Sequence, residues 1–323
     1  MTPRDFFTWK TYFYRGLLPA LRALGPERAD AVLESLGRAA WVANPAFRRA
    51  LTEAARRAGS SLEKLTENEP VRDLAAGLFR FLARDYLLET SDHAQALGRF
   101  DVSGEDALRD AASAGRGVIL VGAHLGAHLS ALHWFYRNDF PLRLMVQRPR
   151  HISKALEAFF DRDEADPQSG FFLRRGLGPT DCVERLLRVR GAVRSGKVVY
   201  FAGDVPWRGA NTRPGRLLGQ SHAFLAVWAD LSSLTGTPVV FTFCNHRPGG
   251  RFALSFEPIG RVGAGGESEA VARFLGRLED RIAARPSDAV AHLLWPCYGP
   301  SRASGTKTTA SRRPGRREAI VIG

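Results

Sequence analysis

The four residues Val118-Ile-Leu-Val121, set between Gly117 and Gly122, constrain this chain more than any other stretch. A short run with no polar residue marks a strand buried on both faces, and such strands belong to parallel sheets covered by helices. Leu142–Gln147, Lys197–Ala202, Val239–Cys244 and Phe252–Phe256 are further strand candidates. Helical patterns lie between them, at roughly His124–Arg137, Ser153–Phe160, Asp181–Arg194, Ser221–Leu234 with Ser221 as N-cap, and Glu267–Arg285. Strands alternating with helices predict an α/β fold: a mixed, largely parallel sheet flanked by helices.

Residues 1–100 read differently. Ala29–Val42, Pro45–Ala58 and Val71–Leu88 carry apolar residues at three- and four-residue spacing, so a helical N-terminal leader is expected. Asn44-Pro45 is a helix start, with Pro at the first helical position. The α/β core is expected over 101–300, and 301–323, rich in Ser, Thr, Arg and Gly, as a disordered basic tail. Phe6–Leu24 is rich in aromatic residues and Leu, with only basic charges, and suits a helix lying in a membrane interface; an ordinary first helix packed on the core fits it equally. No secretory signal pattern and no apolar run long enough to span a bilayer is apparent.

Charge narrows the partners. Lys and Arg number 46 against 33 Asp and Glu, a net charge of +13. A field of that sign attracts phospholipid head groups, nucleic acid, phosphorylated substrates or an acidic carrier protein. Nucleic acid is not expected, because no zinc-finger spacing, RNP-type aromatic motif or compact basic helix is present. Cys182, Cys244 and Cys297 form no CxxC pair, which points to a reducing compartment, with Cys244 a small core residue.

The chemistry concentrates after the first strand. In Gly122-Ala-His-Leu-Gly-Ala-His128, His124 falls where the strand ends, the place at which open α/β sheets bind ligands. A histidine there can serve as general base for a hydroxyl; a plain loop histidine is the alternative. His128 lies four residues on and would share a helical face with His124. The pair lacks a third ligand and a Glu between, so no metal is expected. Asp204 follows the third strand; if that strand is parallel to the first, its carboxylate can orient the imidazole, and otherwise it is a turn residue. Arg148, Arg213 and Arg216 lie in loops and suit phosphate or carboxylate groups.

Taken in order, these segments resemble the lipid A biosynthesis (late) acyltransferase family of the lysophospholipid acyltransferase-like superfamily. The run Ala114-Gly-Arg-Gly-Val-Ile-Leu-Val-Gly-Ala-His-Leu-Gly126 is similar to the family's histidine signature. Arg148-Pro149, the strand ending at Asp204, the Asn211–Gly219 loop and Thr237-Pro-Val-Val-Phe241 follow its layout. The resemblance implies transfer of a fatty acyl chain from an acyl carrier protein or coenzyme A thioester to a hydroxyl of a lipid A-like or other glycolipid acceptor. It implies an anionic membrane surface as partner, at the cytoplasmic face of the inner membrane, and no cofactor besides the acyl thioester. His124 and Asp204 would be catalytic, and Gly126, His128, Arg148, Arg213 and Arg216 would bind substrate, with amides near Gly126 or basic side chains meeting the oxyanion. One departure stands out. The family's acid, five residues after its histidine, is Leu129 here. Either Asp204 supplies the carboxylate or the chain binds lipid without catalysis.

Overall fold

The computed structural model describes residues 12–58, 71–145, 151–164, 179–207 and 211–298. Helices come first: α1 (Leu18–Ala23), α2 (Pro26–Ala43), α3 (Pro45–Arg57), α4 (Val71–Ala83) and α5 (His93–Leu97). There follow β1 (Phe100–Ser103), α6 (Glu105–Ser113), β2 (Val118–Gly122), α7 (His128–Arg137), β3 (Leu142–Met145), α8 (Lys154–Glu164), α9 (Pro179–Arg194) and β4 (Val198–Ala202). A hairpin of β5 (Thr212–Leu217) and β6 (Gln220–Leu225) precedes α10 (Val227–Thr235), β7 (Val239–Arg247), β8 (Arg251–Gly260), α11 (Glu267–Ala284) and α12 (Val290–Leu294). Arg148 and the 301–323 tail lie outside the described residues.

Local chemistry sets several boundaries. The Asn44 side chain accepts a hydrogen bond from the Phe47 N–H and Pro45 follows it, so α3 starts there. Asp92 caps α5 in the same way through the Gln95 N–H. Arg80 of α4 grips Asp30 of α2 through two hydrogen bonds of 2.6 and 3.0 Å, a buried fork that fixes the two helices together.

The main sheet has six strands in the order β1-β8-β7-β2-β4-β3. β7, β2, β4 and β3 are mutually parallel, whereas β8 runs antiparallel to β7 and parallel to β1. Apolar residues alternate between the two faces. Ile119, Val121, Val199, Phe201, Phe241 and Phe243 join one buried cluster, and Val118, Leu120, Val198, Val240 and Cys244 the other. Each such side chain taken fully out of water contributes about 1.5–3 kcal/mol. The leader is stitched into this core, since Leu51, Ala54, Leu74 and Ala75 belong to the first cluster.

Two expectations are corrected here. Ser221 caps no helix; it lies in β6, and the expected loop before it is β5. Leu218 and Gly219 both have positive φ, 49° and 75°, the geometry of a two-residue hairpin turn, and residues 220–225 alternate in burial as a strand requires. The helix after β2 starts at His128, not at His124, so the two histidines do not share a helical face. Within the expected interfacial segment, Phe13, Leu18 and Leu21 are buried against Leu33 and Leu82, while Tyr12 and Leu24 are exposed. Among the described residues no helix is long and apolar enough to cross a membrane.

Candidate active site

The site grows out of strand register. Val118 to Gly122 of β2 pair one for one with Val198 to Ala202 of β4. The pairing runs on past the strand ends, where the Gly203 N–H donates to the Gly122 carbonyl at 2.8 Å. Two residues beyond Gly122 and Ala202 stand His124 and Asp204. The Asp204 carboxylate accepts the His124 backbone N–H at 2.8 Å through Oδ2 and meets the ring Nδ1 at 3.1 Å through Oδ1. An ionised carboxylate only accepts, so Nδ1 carries the proton and Nε2 presents a lone pair. The His124 side chain keeps 27% of its surface exposed; Asp204 has none.

Two more groups reach Asp204 from the C-terminal segment. His292 Nε2 lies 2.8 Å and the Tyr298 hydroxyl 3.0 Å from Oδ2. Burial alone would raise the carboxyl's pKa, but the charge and hydrogen bond of His124, followed by those of His292, hold it well below the usual carboxylate range. Burial and the Asp204 charge push the Tyr298 phenol well up, so it stays a donor.

Aromatic rings wall the imidazole. The His128 ring centroid is 5.3 Å and that of Trp295 5.0 Å from His124, both edge to face. Burial, then the charges of His124 and Arg84, hold His128 neutral, with its pKa far below the usual histidine value. His128 Nδ1 and Trp295 Nε1 are buried without a hydrogen-bond partner among the described residues. Arg84 has φ +53°, a conformation that costs about 1–3 kcal/mol in a non-glycine residue, and its buried Nε has no partner among the described residues.

Gly126 serves the backbone. Its φ is +47°, and a Cβ there would lie 2.7 Å from the Asp288 carboxyl carbon. Its N–H donates to the Asp288 carbonyl at 3.0 Å, and the Ala127 and His128 N–H groups donate to Cys244 and Leu125. These three amides are committed within the protein, so the expected amide oxyanion pocket near Gly126 is not formed by them. Leu129 points into the second buried cluster and is 4% exposed.

The arginines of the hairpin stand apart. Arg213 pairs with Asp230 at 2.7 Å, and Arg216 approaches the Gly219 carbonyl at 3.4 Å. Neither hydrogen-bonds to His124 or Asp204. Among the described residues no group of three His, Cys, Asp or Glu is arranged to hold a metal ion. His133 is structural: fully buried, it meets Asp85 at 2.9 Å, and Asp85 also takes the Ser153 hydroxyl at 2.5 Å, tying α7 to the start of α8.

Sequence reasoning missed His292, Trp295 and Tyr298. Their spacing of three was no helical signal, because Trp295 is extended (φ −74°, ψ 134°) between α12 and the turn Pro296–Tyr298 and breaks the helix there.

No curated protein matches the chain. The model of the family described as bacterial lipid A biosynthesis acyltransferase matches residues 4–290, a span that holds β2, β4, His124 and Asp204. The chain therefore belongs to the bacterial lipid A biosynthesis acyltransferase family.

Proposed function

We propose that the protein is an O-acyltransferase in which His124 is the general base and Asp204 its carboxylate partner. The observation that carries this reading is the 3.1 Å contact of His124 Nδ1 with a carboxylate shut off from water. It supplies the function that Leu129 cannot.

His124 Nε2 takes the proton of an acceptor hydroxyl as its oxygen attacks the carbonyl carbon of an acyl thioester. Asp204 stabilises the imidazolium that forms. The tetrahedral oxyanion collapses, the carbon–sulfur bond breaks, and the departing thiolate takes the proton back from His124. Ester and thiol result. The acceptor is a lipid A precursor or a related glycolipid, and the donor an acyl carrier protein or coenzyme A thioester. His128 and Gly126 shape the wall beside the base, and Arg148, Arg213 and Arg216 would meet acceptor phosphates. The net charge of +13 supports work at an anionic membrane surface, at the cytoplasmic face of the inner membrane.

The test is lipid mass spectrometry of cells with and without the gene, complemented by wild type or by His124→Ala. One lipid species should lose an acyl chain in the knockout and regain it only with wild type. Full complementation by His124→Ala would leave the chain as a lipid-binding protein without catalysis, the reading that Leu129 favours.

A further inference from the structure

We propose that His292 and Tyr298 are positioning residues: their Nε2–H and O–H donate to Asp204 and lock its carboxylate in the orientation in which Oδ1 meets His124 Nδ1. The inference rests on the reading of His124 as base and extends it to the segment that follows α11.

Lone pairs decide which oxygen meets the ring. Oδ2 of Asp204 has three close donors: the His124 N–H at 2.8 Å, His292 Nε2 at 2.8 Å and the Tyr298 hydroxyl at 3.0 Å. That oxygen is saturated, so the ring of His124 faces Oδ1, at 3.1 Å against 3.3 Å for Oδ2. Both added donors come from one short stretch, α12 and the turn Pro296–Tyr298. His292 is wholly buried; its Nδ1 has no partner among the described residues, and its ring lies 4.8 Å from that of Tyr298. An imidazole buried in this way beside a carboxylate offers Nε2–H as its donor. Trp295, midway between the two, packs on His124 itself at 5.0 Å. This segment thus holds the acid with two residues and covers the base with a third. All three lie past residue 290, where the family match ends.

These donors restrain the plane of the carboxylate, which the His124 N–H alone holds at one oxygen only. Without them the plane can twist about the Cβ–Cγ bond, and the imidazole loses its fixed tilt. A positioned hydrogen bond to a charged group is worth about tenfold to a hundredfold in rate when it acts through geometry alone.

The experiment uses the full chain with four variants: His292→Leu, His292→Gln, Tyr298→Phe and His124→Ala. Gln can return an N–H to the place of Nε2, and Tyr298→Phe removes one hydroxyl at nearly constant shape. kcat and KM are measured for acyl transfer from acyl carrier protein and from coenzyme A thioesters, with thermal unfolding alongside. The expected result is a kcat lowered about tenfold to a hundredfold in His292→Leu and about tenfold in Tyr298→Phe, KM within about twofold, and most of the loss recovered in His292→Gln. A second readout needs no turnover: the proton resonance of His124 Nδ1–H in 15N-histidine-labelled protein should move in His292→Leu and Tyr298→Phe and return in His292→Gln. Wild-type kcat in a folded Tyr298→Phe and His292→Leu, or a His124 resonance that neither variant moves, overturns the proposal. Full activity of His124→Ala is a different failure, that of the general-base reading itself.

Discussion

Asp204 accepts both the backbone N–H and the ring Nδ1 of His124, at 2.8 and 3.1 Å, so one carboxylate fixes the histidine's position and its tautomer together. Asn at this position keeps the shape but replaces an acceptor by an N–H donor. The imidazole then turns or takes the wrong tautomer. Asp204→Asn should lower kcat by about 10³–10⁴-fold. Steady-state kinetics check it, and a loss smaller than about tenfold would remove the carboxylate from the chemistry.

Leu129→Glu tests whether the acid can be put back at its expected place. Leu129 is buried among apolar side chains, where a carboxylate has no partner to offset its lost hydration. The substitution should cost about 3 kcal/mol or more of stability and add no activity, even in an Asp204→Asn background. Urea unfolding and acyl-transfer assays are the measurements. Recovery of activity in the double variant would show that α7 still presents residue 129 to the base.

Gly126→Ala and Gly276→Ala should have opposite signs. The first forces a Cβ against the Asp288 carboxylate at a positive φ and should destabilise by about 1–3 kcal/mol. The second lies exposed inside α11 with nothing within 4 Å of the added atom, and should stabilise by about 0.5–1 kcal/mol. Chemical denaturation of the two variants side by side decides it.

Two buried histidines set the acid sensitivity. Burial, then the Arg80 charge, pushes His246 down to about 3, and His128 is likewise lowered well below its usual value. The unfolded chain takes up these protons near pH 6.5 while the folded protein does not, so stability falls as the pH drops below about 6.5. Each histidine adds about 1.4 kcal/mol per pH unit to that slope. Asp204 acts lower: its folded pKa is depressed, so its contribution is full above about pH 4 and is lost as pH falls from there through the folded value. Urea unfolding at pH 7.5, 6.0 and 5.0 should show the histidine slope, and His246→Leu should reduce it by one proton's worth. A flat profile from pH 7.5 to 5.0 would contradict the neutral state of both rings.

Five strands of the sheet were legible as short, mostly apolar runs, most of them bounded by Gly or Pro; β1 (Phe100–Ser103), broken by Asp101 and Ser103, carried no such signal. Val118–Val121 and Val239–Cys244 could be nothing else once helical patterns flanked them. The β5–β6 hairpin was not, because its signal is a turn with Leu218 at positive φ, a residue that announces no turn. His124 and Asp204 were visible as strand-end residues, and parallel pairing of β2 with β4 brought them together. The rest of the carboxylate's shell was hidden. His292 and Tyr298 sit in a short helix and a turn far along the chain, and only tertiary packing brings them to Asp204. For Arg213 and Arg216 the sequence offered their charge but not their neighbours, Asp230 and the Gly219 carbonyl, which only the folded hairpin brings to them.

The constant offset between β2 and β4 has a consequence for how such enzymes are found. A fixed register turns two stretches of chain 80 residues apart into one address, so a carboxylate just past the end of β4 reaches an imidazole just past the end of β2. A pattern search that demands base and acid within a few consecutive letters discards this chain at Leu129. A search keyed to the spacing between paired strand ends retains it, and would gather other chains that carry a histidine past one strand and a carboxylate past its parallel neighbour.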